Sequence, residues 1–322
     1  MILKDCLIKR SAGALWLHHG ASTYKVRIDE NTLSRLSSML AKSGPEQMAG
    51  EEKFLYDKLS SRGMLAQGSV TTPLVRDKSR LELLDLEFSG VCNLRCKHCY
   101  ADMSGRLMDR AALDAILKGV RELEPTTVNL GGGEPTLNPL FQDAVKELRA
   151  EGLRVVVMTN AVTADPALAR FLAGMRVAKV TVSLDGFKTH HDSLRGAGGY
   201  EKTTAGIRNL VEAGLTVHAT SMVHDGNISE LGEFRTFCKN ELGVSQLRVS
   251  PVVSIGRAAT QAAGFTLSDK NLRSLRDDIG FQEISKFQSC RAPSDTSFPC
   301  GAGVSQCFIA GDTSVYACHY FQ

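Results

Sequence analysis

Residues 89–100 read Ser-Gly-Val-Cys-Asn-Leu-Arg-Cys-Lys-His-Cys-Tyr, which gives Cys92, Cys96 and Cys99 the spacing C-x3-C-x2-C. The stretch follows an apolar-rich strand candidate over residues 81–88. Three thiolates on one short loop can each bind one iron of a [4Fe–4S] cluster, and such clusters normally take four cysteines. One iron then lacks a protein ligand. The spacing therefore predicts an iron–sulfur centre with a position open to a substrate or a cofactor.

Other interpretations of these three cysteines are weaker. A zinc site favours paired C-x2-C units, and only Cys96 and Cys99 fit that pattern. A disulfide framework is disfavoured because the chain has nine cysteines, an odd number, and no secretory pattern at its N-terminus. Three unrelated buried cysteines so close together are improbable. Metal ligation in a reducing compartment is therefore the expectation.

The composition is that of an ordinary globular protein, with 43% hydrophobic and 23% charged residues among 322. The formal net charge of +3 is too small to argue for nucleic acid or an anionic membrane surface as a partner. No apolar run approaches the roughly 20 residues that span a bilayer. We therefore expect a cytoplasmic protein with neither a nucleic-acid partner nor a membrane partner.

The middle of the chain alternates strand and helix patterns. Period-2 and short apolar runs predict strands, and the i, i+3, i+4 spacing of apolar residues predicts helices. The strands are predicted over residues 81–88, 127–130, 153–159, 178–184, 215–221 and 246–250, and the helices over 109–123, 139–150, from Asp165-Pro166 onward, 201–213, 229–242 and 268–279. Six βα units predict an α/β fold with a parallel sheet. They suit a partial (β/α)6 TIM-like barrel, although an open doubly wound sheet gives the same pattern.

Further motifs follow the predicted strands in order. Gly131-Gly132-Gly133-Glu134-Pro135 comes after the second strand, and glycines there allow backbone to approach a ligand closely. Together with the cysteine loop, this segment resembles the radical S-adenosylmethionine (SAM) superfamily. In that family the open iron chelates the amino and carboxylate groups of SAM, and an electron from the cluster releases a 5′-deoxyadenosyl radical. The resemblance assigns Gly132, Gly133 and Glu134 to the SAM amino group.

The resemblance extends to later strand ends. Thr159-Asn160-Ala161 is similar to a family T-N-G segment, which makes Asn160 a candidate hydrogen-bond partner of SAM. Residues 182–186 and 191–196 resemble the family's S-L-D-G and H-D-x-x-R-G segments, which assign Ser183 and Arg195 to the SAM carboxylate. A guanidinium suits a carboxylate because its donors form a planar fork. His98 takes the family position beside the adenine, and Tyr100 either contacts the cofactor or packs.

Other polar residues in these segments are expected to be structural. The sequence favours loop-fixing roles for Asp185 and Asp192 and a structural role for His191. His218 and Arg248 lie on predicted strands, where they either face the cavity or belong to the core.

The tail carries four cysteines, at positions 290, 300, 307 and 318. Residues 300–318 look like the opening of a SPASM or twitch extension, in which a β-hairpin brings two cysteines onto an auxiliary [4Fe–4S] cluster. That resemblance assigns Cys300 and Cys318 as ligands, with Asp312 at the hairpin tip. Further family cysteines are missing, so either the sequence is truncated at Gln322 or Cys307, and Cys290 with it, supplies replacement ligands. Both of these cysteines also suit packing as small hydrophobes.

Residues 1–75 have a different pattern. A β-hairpin pair of strands is predicted over 14–18 and 24–28, and helices are predicted over 31–41 and 51–62. A wing strand is predicted to begin at residues 63–65, and residues 66–80 form a linker. The order resembles the winged-helix peptide-recognition module of ribosomal-peptide maturases, which binds a leader peptide as an added strand. A structural cap on the barrel is the alternative.

The expected division is therefore a winged-helix-like module over 1–75, a radical SAM core over 76–285 and a partial SPASM/twitch segment over 286–322. The resemblance implies hydrogen abstraction from a peptide or protein substrate, with a flavodoxin- or ferredoxin-type electron donor. A small-molecule substrate, a non-catalytic iron–sulfur protein and a zinc-binding protein are the alternatives. A small-molecule substrate would need no leader-binding module. A non-catalytic iron–sulfur protein would need no SAM, and a zinc-binding protein would contain no iron.

Overall fold

The computed structural model describes residues 2–3, 6–11, 14–19, 25–62, 64–66, 75–76, 81–101, 104–262, 264–279, 302–303 and 305–319. Cys290 and Cys300 lie outside these described residues. The N-terminal module contains six strands and two helices within them, namely β1 (Ile2–Leu3), β2 (Cys6–Ser11), β3 (Ala14–His19), β4 (Lys25–Ile28), α1 (Glu30–Ala41), α2 (Gly50–Ser60), β5 (Leu65–Ala66) and β6 (Val75–Arg76).

This module is a small α+β unit with its own core. The sheet order is β4-β3-β2-β6, and β1 pairs separately with β5. Strand and helix residues share one buried cluster, Ile8, Leu15, Leu17, Leu36, Met39, Leu40, Met48, Leu59 and Met64. The predicted hairpin and both predicted helices are confirmed. Strand β2 was not predicted, and β6 lies within the predicted linker because its pairing partner, β2, is distant in sequence.

The second unit repeats strand and helix. Its strands are β7 (Leu83–Ser89), β8 (Thr127–Gly132), β9 (Arg154–Thr159), β10 (Lys179–Ser183), β11 (Val217–Val223) and β12 (Gln246–Pro251). Its helices are α3 (Arg110–Leu123), α4 (Phe141–Ala150), α5 (Pro166–Gly174), α6 (Lys188–Arg195), α7 (Gly199–Glu212), α8 (Leu231–Asn240), α9 (Ala258–Gln261) and α10 (Asp269–Ile279). The six strands are parallel neighbours in chain order, and all six predicted strands are found within two residues of their predicted ends. Helix α6 was not predicted, since its polar sequence lacks an apolar stripe.

Alternation along the strands distinguishes the two faces of this sheet. Val180 and Val182 of β10 belong to a large core cluster that also contains residues of α3, α4, α5, α7 and α8. Successive side chains of a strand point to opposite faces. Lys179, Thr181 and Ser183 therefore face away from the helices, into the lumen. Helices on one face and a partly polar lumen on the other are features of a partial barrel, as expected, and argue against a doubly wound sheet.

The predicted C-terminal hairpin is present and joins the barrel sheet. Strands β13 (Gln306–Ile309) and β14 (Val315–Tyr316) are antiparallel, and β13 pairs in parallel with β7. Asp312 lies at the tip, where its carboxylate accepts from Ser314 N at 2.9 Å. The sheet order is therefore β12-β11-β10-β9-β8-β7-β13-β14. Within the described residues, no helix is both long and apolar enough to cross a membrane.

Candidate cluster and cofactor site

The cysteine loop is fastened to the glycine-rich segment that follows β8. Gly133 N donates to Ser89 O at 2.6 Å, and Glu134 N donates to Val91 O at 2.9 Å. A Cβ on Gly132 would lie 2.4 Å from Ser89 O, and one on Gly133 would lie 2.4 Å from Val91 O. Gly132 also has φ +111°, which disfavours any residue with a side chain. The two glycines therefore permit the backbone contact that positions the cysteine loop.

Three N–H donors point at the cysteine sulfurs. Leu94 N lies 3.4 Å and Asn160 Nδ2 3.8 Å from Cys92 Sγ, and Arg195 Nη1 lies 3.7 Å from Cys96 Sγ. The donors come from the loop itself, from the end of β9 and from the end of α6. Sulfur is a weak acceptor as a thiol and a stronger one as a thiolate, so this arrangement suits ligated, negatively charged sulfur. The residues present fit an iron–sulfur cluster.

The same cysteines do not form a site for one metal ion. No three His, Cys, Asp or Glu side chains come close enough to hold a single ion in the described part of the chain. A [4Fe–4S] cluster differs, because each thiolate binds its own iron. This geometry disfavours the zinc alternative for Cys92, Cys96 and Cys99. Burial raises the pKa of Cys92 and of Cys96, so metal binding must release protons from these thiols.

The Glu134 carboxylate is fully buried and holds two strand ends together. Its Oε1 accepts from Thr136 N at 3.3 Å and from the hydroxyls of Thr136 and Thr159 at 2.7 Å each, and its Oε2 accepts from Asn160 N at 2.8 Å. Burial raises the pKa of Glu134, and these hydrogen bonds oppose that rise. The carboxylate thus joins β8 to β9 with four protein donors. Its assignment to the SAM amino group stays a prediction.

Asn160 connects this strand end to the cysteine loop. Its Nδ2 donates to Asn93 Oδ1 at 2.7 Å, and its Oδ1 accepts from Val162 N at 2.9 Å. Thr203 of α7 donates its hydroxyl to the Asn160 carbonyl at 3.0 Å. The predicted cofactor contact of Asn160 is untested, while a contact with the cysteine loop is present.

A buried ion pair lies directly behind Cys96. Arg195 Nε donates to Asp185 Oδ2 at 2.6 Å, and Asp185 Oδ1 accepts from Met222 N at 2.8 Å. Burial alone would raise the pKa of Asp185, but Arg195 and His98 beside it lower that pKa to about 2. Asp185 is therefore a charged anchor that fixes the guanidinium, a role that goes beyond the expected loop contact.

His98 completes this network. Burial lowers the pKa of His98 to about 4, so the imidazole is neutral at pH 7. Its Nε2 lies 3.2 Å from Arg195 Nη2, which can only donate. The hydrogen bond therefore places the imidazole proton on Nδ1. That Nδ1 is buried without a hydrogen-bond partner among the described residues, which leaves it a donor for a bound group.

The remaining predicted residues lie around this centre. Ser183 ends β10, half-buried and on the lumen face. The Tyr100 ring lies 5.1 Å from that of His319, so Tyr100 contacts the C-terminal hairpin. Cys318 is half-buried beside His319. Cys307 packs against the helix-side core cluster, and burial raises the pKa of its thiol, which favours the packing alternative for this residue.

A further segment, Gly256-Arg257, supports the cysteine loop from the far side of the sequence. Arg257 N donates to Cys99 O at 3.0 Å. A Cβ on Gly256 would lie 2.8 Å from the same carbonyl, and Gly256 has φ +58°. The sequence gives no local pattern for this role of Gly256 and Arg257, because the contact is made by backbone across more than 150 residues.

The family comparison agrees with this geometry. The Radical SAM superfamily profile matches residues 86–238. The chain is 31% identical over 255 residues to mycofactocin maturase MftC of Mycobacterium ulcerans (strain Agy99). This alignment covers 74% of this chain and 68% of that protein. The chain therefore belongs to the radical SAM superfamily. It is an enzyme of that class, with a [4Fe–4S] cluster and SAM as cofactors.

More particular similarities concern maturases and the fold. The chain is 29% identical to mycofactocin maturase MftC of Mycobacterium tuberculosis (strain ATCC 25618 / H37Rv) and covers 64% of it, so it spans about two thirds of these relatives. Streptococcus suis SuiB bound to S-adenosylmethionine superimposes with a TM-score of 0.65 at 15% identity, covering 99% of this chain and 83% of SuiB. Native anSMEcpe with bound AdoMet gives 0.59 at 22% identity, covering 74% of both chains. These structures share the fold.

Proposed function

We propose that this chain is a radical SAM peptide maturase. The observation that carries the proposal is the 31% identity to a maturase across 74% of the chain. The family profile match over residues 86–238 includes the cysteine loop and Arg195. The N-terminal module supports it, because a folded unit with a separate core is more than a small-molecule site requires. A non-catalytic iron–sulfur protein would use the N–H donors around Cys92 and Cys96 as well, but it would not need Glu134, Ser183 and Arg195 at the strand ends.

The roles of the site residues follow from their contacts. Cys92, Cys96 and Cys99 would hold the cluster, and Arg195, with Ser183, would bind the SAM carboxylate. Asp185 fixes the Arg195 guanidinium, since it holds Nε and leaves the other nitrogens directed at the cluster loop. The chemistry supplied here when both groups are bound is hydrogen-atom abstraction by a SAM-derived radical.

The glycine-rich segment contributes position instead of charge. Gly132 and Gly133 keep the cysteine loop against β8, and Glu134 locks β8 to β9. Gly132, Gly133 and Glu134 would hold the amino group of SAM. The neutral His98 would donate from Nδ1 to an adenine nitrogen, a suitable acceptor because it carries no full charge.

The N-terminal module is proposed to bind a leader peptide. Strand β4 pairs only with β3 among the described residues, so one edge of the sheet keeps backbone donors and acceptors available. An extended peptide can add a strand to such an edge. Hydrogen exchange of the full chain tests this directly. Amides of residues 25–28 should exchange more slowly when a modified peptide's leader is added, and unchanged exchange there would remove the module from substrate recognition.

Three further assignments belong to the proposal. Cys300 and Cys318 bind an auxiliary [4Fe–4S] cluster near the hairpin, with Cys307 a less suitable ligand because it packs on the core. A flavodoxin- or ferredoxin-type protein supplies the electron. The thiolate sites require a reducing compartment, so we place the protein in the cytoplasm.

Co-expression tests the substrate class. The full chain is produced anaerobically together with each short open reading frame that flanks its gene, and peptide masses are compared with those from the Cys92→Ala variant. We expect one peptide to change mass only with the intact chain, with 5′-deoxyadenosine released. Release of 5′-deoxyadenosine with no peptide change under any combination would favour a small-molecule substrate.

A further inference from the structure

One row of residues crosses the lumen face of the barrel just before the predicted cofactor residues. Thr181 of β10 is in register with Met158 of β9 and with His218 of β11, and Gly131 of β8 lies beside Met158. Their chain neighbours belong to the helix-side core, namely Leu130, Val157, Val180, Val182, Val217 and Ala219. By strand alternation, the four residues of the row therefore face the lumen. We call Gly131, Met158, Thr181 and His218 the lumen row.

The lumen row is adjacent to the site assigned to SAM. Thr181 stands two residues before Ser183, which is roughly 7 Å along the strand. Ser183 is in register with Thr220, and His218 stands two residues before Thr220 on the same face of β11. A group held by the lumen row therefore lies next to residues that the family resemblance assigns to the cofactor.

The middle of the row is open and apolar. Met158 is 42% exposed, although β9 lies between two other strands of the sheet. A Cβ on the neighbouring Gly131 would lie 3.6 Å from Met158 Cβ and 3.9 Å from Leu86 O, which are ordinary contacts. The φ of Gly131 is not positive either. Neither crowding nor backbone conformation requires glycine at this position, so the effect of the missing side chain is to leave Met158 uncovered.

The β10–β11 end of the row carries polar groups without protein partners. His218 is 8% exposed, and its Nδ1 is buried with no hydrogen-bond partner among the described residues. The hydroxyl of Thr181 likewise makes no hydrogen bond with another described residue. A histidine that only fills a protein core normally has its nitrogens hydrogen-bonded. The row therefore offers an imidazole and a hydroxyl to a group from outside the chain.

The charges around the row restrict what it accepts. Burial, with Lys179 and Arg248, lowers the pKa of His218 to about 4, so the imidazole is neutral at pH 7. The same two cations repel a further cation beside His218. Glu87, at the β7 end of the row, is buried and accepts from Gly311 N at 2.9 Å. All four members of the row are uncharged, so an uncharged group that can form hydrogen bonds matches them.

We propose that the lumen row is the subsite for the reacting side chain of the peptide substrate, and that this side chain is uncharged, with an apolar stem and a hydroxyl or amide end. The stem packs on Met158 in the space beside Gly131. The end group forms hydrogen bonds with Thr181 and His218, which makes these two residues determinants of specificity. This inference rests on the proposed function and names the class of side chain on which that function acts.

Ligand-observed NMR tests the subsite without turnover. The anaerobically reconstituted full chain, with SAM bound, is titrated with N-acetyl amides of single amino acids, and saturation transfer gives the dissociation constant of each probe. The threonine, tyrosine and glutamine probes carry the expected end groups. The valine, phenylalanine and glutamate probes are their matched isosteres, and a lysine probe adds a cation. At least one of the first three should bind about fivefold more tightly than its isostere, the usual effect of one neutral hydrogen bond.

Matched variants locate the binding. His218→Phe keeps a ring without nitrogen atoms and should remove most of that preference, as should the milder Thr181→Val. Gly131→Val fills the space beside Met158 and should abolish saturation transfer to every probe, while calorimetry should show unchanged SAM affinity. Thr236→Val is the control for Thr181→Val, since it removes an exposed hydroxyl from α8 and should change neither measurement.

Several results would overturn the proposal. They are binding by none of the probes, tighter binding of the glutamate or lysine probe than of every uncharged probe, and an unchanged preference in both His218→Phe and Thr181→Val. Loss of SAM affinity in Gly131→Val would also overturn it, because the row would then belong to the cofactor site. Failure to find a modified peptide by co-expression challenges the proposed function, whereas the titration still decides the subsite. Where such a peptide is found, modification at a charged residue overturns the inference.

Discussion

The two polar regions of the barrel differ in how their charges are neutralised. Near the cysteine loop, Arg195 is paired with Asp185, and Glu134 accepts from four protein donors. At the start of β10, the charged groups among the described residues that act on Lys179 are Arg154 and Arg248, both cationic. Saturated charges fix geometry, since every donor already has its acceptor. Unsaturated charges favour a ligand that arrives from outside. The first region therefore holds its side chains in fixed positions, whereas Lys179 lies half-buried near other cations.

The largest effect should follow removal of the cluster ligands. Replacing Cys92, Cys96 and Cys99 together with alanine should remove about four irons per chain and abolish SAM cleavage. Iron analysis and absorption near 400 nm measure the loss. A residual cluster signal that disappears on adding Cys300→Ala and Cys318→Ala would support the auxiliary site. Unchanged 5′-deoxyadenosine formation in the triple variant would contradict the cluster assignment.

Breaking the buried ion pair should come next. Asp185→Asn leaves the Arg195 charge buried without a partner, which should lower the free energy of unfolding by about 3–5 kcal/mol. The double variant Asp185→Asn with Arg195→Met should recover most of that stability but not SAM affinity. Denaturant unfolding and calorimetry of SAM binding separate the two effects. If the Asp185→Asn variant had the same free energy of unfolding as the wild type, the ion pair between Asp185 and Arg195 would not stabilise the fold.

A smaller loss is expected at Glu134. Glu134→Gln replaces one acceptor oxygen by an NH2 group that faces existing donors, so we expect a loss of about 1.5–3 kcal/mol in unfolding free energy. Glu147→Gln is the control, since Glu147 pairs with Arg110 at the surface and should cost about 1 kcal/mol or less. If Glu134→Gln weakens SAM binding at unchanged stability, Glu134 contacts the cofactor and does not brace the strands.

The smallest effect concerns the pH dependence of stability. The folded-state pKa of Lys179, about 8, is below its ordinary value of 10.5, so the unfolded chain binds more protons between those values. Stability should therefore rise with pH from about 8 to 10, by about 1 kcal/mol or less after solvent screening. Lys179→Met should be more stable at pH 7 and lack this rise. Arg154, His218 and Arg248 are unchanged in this variant. If its stability had the same pH dependence as that of the wild type, the lowered pKa of Lys179 would be contradicted.

The sequence predicts the barrel strands well because each one is a short apolar run followed by a turn signal. Asp109 and Asp165 likewise begin helices as their positions suggest, each accepting from a backbone N–H in the first turn. Helix α6 escaped prediction because Lys188 to Arg195 is polar and is held by tertiary contacts. In the site, motif order identifies the cysteines and Arg195. The pairing of Arg195 with Asp185 needs the three-dimensional fold.

The lumen face of the sheet shows the limit more sharply. Lys179 and Arg248 are single residues on different strands, and nothing in either local sequence indicates a shared function. Their common face emerges only from parallel pairing and strand register. The tail shows a second limit. The hairpin is readable from Gly311, Asp312 and the flanking apolar residues, whereas its pairing with β7 depends on a partner far away in sequence.

That pairing has a consequence for the order of events during synthesis. Glu87, on the strand that leads into the cysteine loop, accepts from Gly311 N, 224 residues later. Until β13 has left the ribosome, β7 keeps an open edge on the side opposite β8. Pairing over such a separation forms late, because a long loop must close first. We expect the cysteine loop to reach its final position, and iron to be inserted, only after β13 has paired with β7.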